Sequence, residues 1–162
     1  MFKKILYPTD LSDVSKKALN CLLAMKSGGV KEVVLLRVIS QSNAESLSQY
    51  HKHFFPGTHA HLETPGKGVA AFLESVYRAQ EEEAREGLAP FEAALKEAHF
   101  KVKTRIERGV PQLKILEVEE QENVDAIILG SHGRSNLKEM LLGSVSEHVI
   151  RHSRKPVIVI KR

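Results

Sequence analysis

Four short apolar runs punctuate the chain: Ile5 to Tyr7, Glu32 to Ile39 (EVVLLRVI), Ala126 to Leu129 (AIIL) and Pro156 to Ile160 (PVIVI). Their length and branched side chains predict strands, and their near-continuous apolar character predicts cover on both faces. A fifth run, Lys101 to Glu107, alternates Val102, Thr104 and Ile106 with polar or charged residues, which is the pattern of an edge strand. Helical periodicity fills the gaps. Ser12 is placed to cap a helix with Val14, Ala18, Leu22 and Met25 on one stripe, ending at Gly28-Gly29. From about Gly68 to Ala98 a longer pattern puts Phe72, Val76, Leu88, Phe91 and Leu95 on one side, and Gly87 and Pro90 leave open whether it is one kinked helix or two. Pro111 suits the first turn of a third helix that carries Leu113 and Leu116 inward, and Ser144 opens a fourth with Val145, Val149 and Ile150 as its apolar side.

Strands and helices therefore alternate along the chain. That order predicts an α/β fold with a mostly parallel sheet and helices on both faces, because parallel strands need crossover connections and these are right-handed. In such sheets ligands bind beyond the carboxyl ends of the strands, where the strand order reverses. Segment 40–68 fits no periodic pattern; it is polar, rich in Pro and Gly, and long enough to be an insertion or a lid.

Composition narrows the classes. A chain of 162 residues with 42% hydrophobic content can bury one core, so a single domain over 1–162 is expected, with a variable loop at about 40–68. No uncharged apolar stretch reaches about 18 residues, and the start MFKKILYPTD lacks a signal-peptide core, so the expectation is a soluble, cytoplasmic protein with no membrane partner. Cys21 is the only cysteine; it excludes an intrachain disulfide and reads as a small buried apolar residue rather than a nucleophile. The net charge of +4 arises from 24 basic residues scattered among 20 acidic ones. Without a basic tail or stripe, nucleic acid is disfavoured as a partner, whereas a nucleotide needs only local positive potential.

Candidate chemistry sits at the predicted strand ends. The first strand ends in YPTDLSD, where the Asp10 carboxylate can accept hydrogen bonds from a ribose or base, or cap the first helix. The stretch GSHGRSNLKEMLLGS follows the fourth strand. Gly130 and Gly133 let a ligand approach the main chain, and Gly143-Ser144 stands at a helix start, whose free N–H groups suit phosphate. The same residues also fit a tight turn followed by a capping box in which Ser144 and Glu147 serve the helix alone. No lysine follows the glycine pair directly, so this is not a P-loop.

Gly130-Ser-His-Gly133, nine intervening residues, then Gly143-Ser144 is similar to the G-x-x-G-x9-G-[ST] signature of the universal stress protein family, in its ATP-binding branch. KKILYPTDLS, EVVLLRVI, the turn Gly109 to Pro111, DAIILGSHG and KPVIVIKR resemble that family too, leaving only about Ser40 to Glu63 without a counterpart. The resemblance implies a three-layer Rossmann-like fold with a five-stranded parallel sheet of order 3-2-1-4-5. It implies ATP as ligand, with Pro8, Thr9 and Asp10 around the adenosine and Val38 at the adenine. Leu129, Gly130, His132 and Gly133 would line the ribose and phosphate side, while Gly143, Ser144, Val145 and Ser146 would hold the phosphates. It further implies Mg²⁺ or Mn²⁺ with the triphosphate and a homodimer joined through the last strand, Val157 to Ile160.

No acid and base pair that would compel turnover is evident at these positions. Arg134 and Lys138 are near enough in sequence to meet phosphate, and His132 reads as a positioning group. The expectation is a nucleotide-dependent regulatory or switch module in stress response. The alternatives are a slow or partner-dependent ATP hydrolase and a structural or protein-interaction module with no nucleotide. No protein partner is named by the sequence. HKHFFPGTHAH carries His51, His53, His59 and His61, two H-x-H pairs that could supply imidazoles to zinc or nickel, but the spacing fits no standard zinc module and the stretch reads rather as a mobile polar loop.

Overall fold

The computed structural model describes residues 2–40, 67–131 and 142–161. Along the chain run β1 (Lys4–Pro8), α1 (Asp13–Ala24), β2 (Glu32–Ile39), α2 (Lys67–Glu97), β3 (Lys101–Arg108), α3 (Pro111–Glu122), β4 (Ala126–Gly130), α4 (Ser144–His152) and β5 (Val157–Ile160). The strands form one five-stranded sheet of order β3-β2-β1-β4-β5, with every pairing parallel.

Strand alternation divides the core in two. Ile5, Tyr7, Val33, Leu35 and Ile128 pack against Ala18 and Leu22 of α1 and Leu88, Phe91 and Leu95 of α2. The intervening Leu6, Val34, Leu36, Ile127 and Leu129 pack against Ile115 and Val118 of α3 and Val149 of α4. Both faces of the central strands are buried, which is why they read as continuous apolar runs. The alternating β3 lies at one edge, as its pattern predicts, and β5 at the other.

Several local expectations change. α1 stops at Ala24 with Met25 as its cap, ahead of the two glycines, because the Met25 N–H closes onto the carbonyls of Cys21 and Leu22. Cys21 is only partly buried. α2 is one helix, with Pro90 inside it. In α3 the inward stripe is Ile115 and Val118, a helical turn apart; Leu113 lies off that stripe and is 54% exposed. Ile150 likewise leaves the apolar side of α4 and is 40% exposed, since Ser146 and Val149 already fill the buried face.

At 31 residues α2 is roughly 46 Å long, well beyond the roughly 27 Å of an eight-residue strand. It runs antiparallel to β3: Glu92 accepts from Thr104 at 2.7 Å, and Glu81, further toward the helix start, accepts from Arg108 at the strand's end. Its first turns therefore overhang the carboxyl edge of the sheet. At the amino edge, the Glu122 carboxylate closes α3 onto the sheet. It meets Lys4 of β1 at 3.1 Å and Lys103 and Arg105 of β3 at 2.6 and 2.9 Å. Asp125 accepts the backbone N–H groups of Lys3 and Lys4 at 2.7 and 2.9 Å. This edge is stapled; chemistry is left to the other one. Among the described residues no helix is long and apolar enough to cross a membrane.

Candidate functional site

The sheet opens at its switch point. β1 pairs with β4 only at Ile5 with Ala126 and Leu6 with Ile127, whereas β1 continues with β2 to Pro8 and Leu36, and β4 with β5 to Gly130 and Ile160. Beyond Leu6 and Ile127 the two central strands part, and a cleft of about 320 Å³ occupies the gap.

One wall comes from β1, β2 and α1. Pro8, Thr9 and Asp10 border the cleft together with Leu36, Val38 and Ser15. Thr9 continues the sheet by donating its N–H to the Leu36 carbonyl at 2.9 Å, and it is buried. Asp10 does not cap α1. Ser12 is the N-cap, accepting from the Ser15 N–H, and Asp10 stands two residues outside. Its Oδ1 accepts from the Ser12 N–H at 3.1 Å and from the Ser15 hydroxyl at 2.7 Å. Among the described residues no hydrogen bond reaches its Oδ2. Burial, the largest single influence, pushes this carboxyl up; the hydrogen bonds from Ser12 and Ser15 and the charge of Arg37 outweigh it and hold it below the ordinary carboxylate range. Asp10 is thus a fixed, ionised acceptor with one oxygen to offer. Beneath it the buried Tyr7 hydroxyl donates to the Ser15 carbonyl at 2.6 Å, and burial pushes that phenol well up.

The other wall comes from β4, α4 and the start of α3. Leu129 and Gly130 line it from the strand end; Gly143, Ser144, Val145 and Ser146 line it from the helix start; Pro111 and Ile115 close it from α3. The capping box that Ser144 and Glu147 offered as the alternative does not form. Gly143 is the N-cap, in extended conformation and without a side-chain cap bond, so Ser144 is the first helical residue, and it is exposed. The hydroxyl that serves the fold is that of the buried Ser146, 2.7 Å from the Ser131 carbonyl and 2.8 Å from that of Gly143. The Gly143 N–H is spent on the Ser131 carbonyl at 2.7 Å, and the first helical bond runs from Glu147 to Gly143. The N–H groups of Ser144, Val145 and Ser146 thus have no acceptor among the described residues. They point out of the helix start, where its dipole adds partial positive charge.

Ten of the twelve residues singled out in the sequence border this one cleft: Pro8, Thr9, Asp10, Val38, Leu129, Gly130, Gly143, Ser144, Val145 and Ser146. His132 and Gly133 lie outside the described residues, as do Arg134, Lys138 and the four histidines between His51 and His61. Ser15, Leu36, Arg37, Pro111 and Ile115 also line the cleft and were not foreseen. The turn at Gly109 to Pro111 was a usable signal for Pro111, and the corrected stripe of α3 would have given Ile115. Arg37 lies inside the run EVVLLRVI, which was read for its apolar residues alone. Among the described residues no three His, Cys, Asp or Glu side chains gather as a metal centre would require.

A parallel sheet of order 3-2-1-4-5, covered by helices on both faces and open at its switch point, makes this a Rossmann-like α/β protein. The sequence model of the universal stress protein family matches residues 1–161, and the chain belongs to that family. It is similar to universal stress protein MJ0577 of Methanocaldococcus jannaschii, with 40% identity over 164 residues that cover 100% of this chain and 96% of that protein. The solved structure of MJ0577 matches with a TM-score of 0.81 at 38% identity, covering 100% of this chain and 97% of that one. Two more distant structures share the fold. One is a universal stress protein in complex with cAMP (TM-score 0.60, 18% identity, covering 99% of this chain and 97% of that one). The other is an Arabidopsis thaliana family protein with AMP bound (TM-score 0.62, 17% identity, covering 99% and 92%).

Proposed function

We propose that the switch-point cleft binds an adenine nucleotide, with ATP as the full ligand, and that the protein is a cytoplasmic nucleotide-dependent switch module in stress response. The observation that carries this reading is the pairing of two complementary ends in one cleft. Three N–H groups at the start of α4, without an acceptor among the described residues, can donate to phosphate oxygens, and the Asp10 Oδ2 can accept from ribose hydroxyls. Val38, Leu36 and Ile115 give the cleft an apolar flank on which a base can lie. The AMP-bound and cAMP-bound family structures support the class of ligand.

In this reading Pro8, Thr9 and Asp10 hold the nucleoside, and Ser144, Val145 and Ser146 hold phosphates through the backbone. Ser144 adds its hydroxyl, and the Ser146 hydroxyl keeps the loop shape. Leu129 and Gly130 border the ribose side, and His132 and Gly133 complete the phosphate side as the motif implies. Asp10, the only carboxylate among the described lining residues, stands on the nucleoside wall. Mg²⁺ or Mn²⁺ would therefore be held by phosphate oxygens and water rather than by a protein cage. A homodimer through the β5 edge fits an apolar strand at a sheet margin.

Titration calorimetry with ATP, ADP, AMP and adenosine, together with mass spectrometry of any small molecule that copurifies, tests the proposal. Micromolar ATP binding that weakens stepwise as phosphates are removed is expected. No heat and no thermal shift with ATP, or equal affinity for ATP and adenosine, would sink it.

A further inference from the structure

The turn that carries Asp10 is strained, and it is held from behind by groups that do not belong to it. Leu11 sits in the left-handed region at φ 67°, which a bulky residue enters only when its surroundings impose it. Its N–H donates to the Thr9 hydroxyl at 3.1 Å. Its side chain occupies the notch left by Gly87 of α2: a Cβ built on Gly87 would stand 2.4 Å from Leu11 Cδ1. The third anchor is Arg37. In β2 it follows Val33 and Leu35 on the side of the sheet covered by α1 and α2, and its Nη1 donates to the Thr9 carbonyl at 3.4 Å. It borders both the main cleft and a second cavity of about 100 Å³ behind it, formed with Leu11, Gln80, Glu83 and Ala84. It is therefore the partition between the two cavities.

We propose that Arg37 is a positioning residue for ribose recognition: from behind the cleft it fixes the Thr9–Leu11 turn so that the Asp10 carboxylate keeps one oxygen turned to the ligand. The inference rests on the nucleotide reading above. A guanidinium suits the task because it can bond the Thr9 carbonyl and still present positive charge to Asp10, whose ionised state it favours. None of the three anchors lies at the α4 end of the cleft, so the effect belongs to the nucleoside and leaves the phosphates alone.

The test compares ATP, 2′-deoxy-ATP, 3′-deoxy-ATP and AMP on wild type, Arg37→Gln, Arg37→Lys and Gly87→Ala, with melting temperature measured alongside. Hydrogen bonds to a charged acceptor predict a wild-type preference for ATP over the deoxy analogues of about tenfold or more. In Arg37→Gln that preference is expected to shrink to about threefold or less, with Arg37→Lys between the two and the ATP-to-AMP ratio unchanged. Gly87→Ala, which displaces Leu11 without touching charge, is expected to lower the same preference by a smaller factor, so the proposal stays testable even if Arg37→Gln folds poorly. A wild-type preference retained in Arg37→Gln, or in Arg37→Lys and Gly87→Ala together, overturns the inference. So does an ATP-to-AMP ratio that falls as far as the ribose preference, because Arg37 would then act on phosphate. A wild type that does not bind ATP refutes the nucleotide reading instead, whereas one that binds ATP without regard to its hydroxyls overturns only the role of Arg37.

Discussion

Replacing Ser144 by Glu separates the two consequences of a free helix start. In the protein alone the new carboxylate stands at the first position of α4, beside N–H groups that have no acceptor among the described residues. Such a placement stabilises a helix by about 0.3–1 kcal/mol, or an increase of roughly 1–3 °C in melting temperature for a domain of this size. With ATP the same charge stands where the phosphates are to lie. At about 5 Å and an effective dielectric near 20, each pair of like charges costs about 3 kcal/mol, which is roughly a hundredfold in affinity. Adenosine, with no phosphate, is expected to change by less than about threefold.

Differential scanning fluorimetry without ligand and calorimetry with ATP and adenosine read these quantities directly. The signature is a variant at least as stable as wild type that has lost ATP and kept adenosine. Retained ATP binding would refute the reasoning, because it would mean that the phosphates lie elsewhere. An equal loss of ATP and adenosine would refute it too, by showing a general distortion of the cleft. Raising the salt should narrow the gap between variant and wild type, since the effect is Coulombic and partly exposed.

Two further predictions concern α3, which is anchored at its end by Glu122 and entered through the turn at Gly109. The hydrogen bond from Lys103, with those from Lys4 and Arg105, keeps the Glu122 carboxyl at about 2, and its side chain is 7% exposed. That shift has a ceiling of about 3 kcal/mol; Lys103 is 62% exposed, so solvent screening reduces the expected cost of Glu122→Gln to about 1–2 kcal/mol at pH 7. Because the folded value lies below the ordinary 4.5, this stability is fully present above pH 4.5 and is lost as pH falls toward 2. Urea unfolding of both proteins from pH 7 to 2 should therefore show their difference closing at the acid end, and a constant difference would contradict the assignment. Gly109 has φ 142°, and a Cβ there would lie 3.1 Å from Lys114 Cε, so Gly109→Ala is expected to cost about 1–2 kcal/mol in chemical denaturation. An unchanged midpoint would show that the turn relaxes without strain.

The sheet was legible because its chemistry is one-dimensional. Buried parallel strands must be apolar on both faces, so Val33 to Leu36 and Ala126 to Leu129 declare themselves without any knowledge of neighbours. Helix faces were less legible because they depend on which turn meets the sheet: Leu113 and Ile150 are apolar yet exposed, and the Ser146 hydroxyl is buried only because the Ser131 carbonyl waits there. The residues bordering the cleft were legible where they stand at strand or helix ends, as Asp10 and Ser144 do. Arg37 could not be read this way. Its place depends on the strained Leu11 turn and on α2, whose notch lies at Gly87, far along the chain.

The hydrogen bonds around Ser131 give the cleft a physical route to the sheet edge. Its N–H donates to the carbonyl of Ile160, the last residue of β5, at 2.8 Å. Its carbonyl accepts from the Gly143 N–H and the Ser146 hydroxyl, both at 2.7 Å, and these residues frame the start of α4. The helix start and the end of the edge strand are therefore two hydrogen bonds apart, through a residue that is itself buried. A ligand drawn to the N–H groups of α4 would pull on a segment bonded to β5, whereas one that touches only Asp10 would pull on β1, in the middle of the sheet, and on α1, packed on its face, neither of which can move without disturbing the core. In the proposed reading, the nucleoside end of the cleft meets fixed structure and the phosphate end meets the margin. A switch that reports phosphate number rather than base identity would have to act at that margin, because a two-state change can be driven only by a ligand group that binds its two states differently.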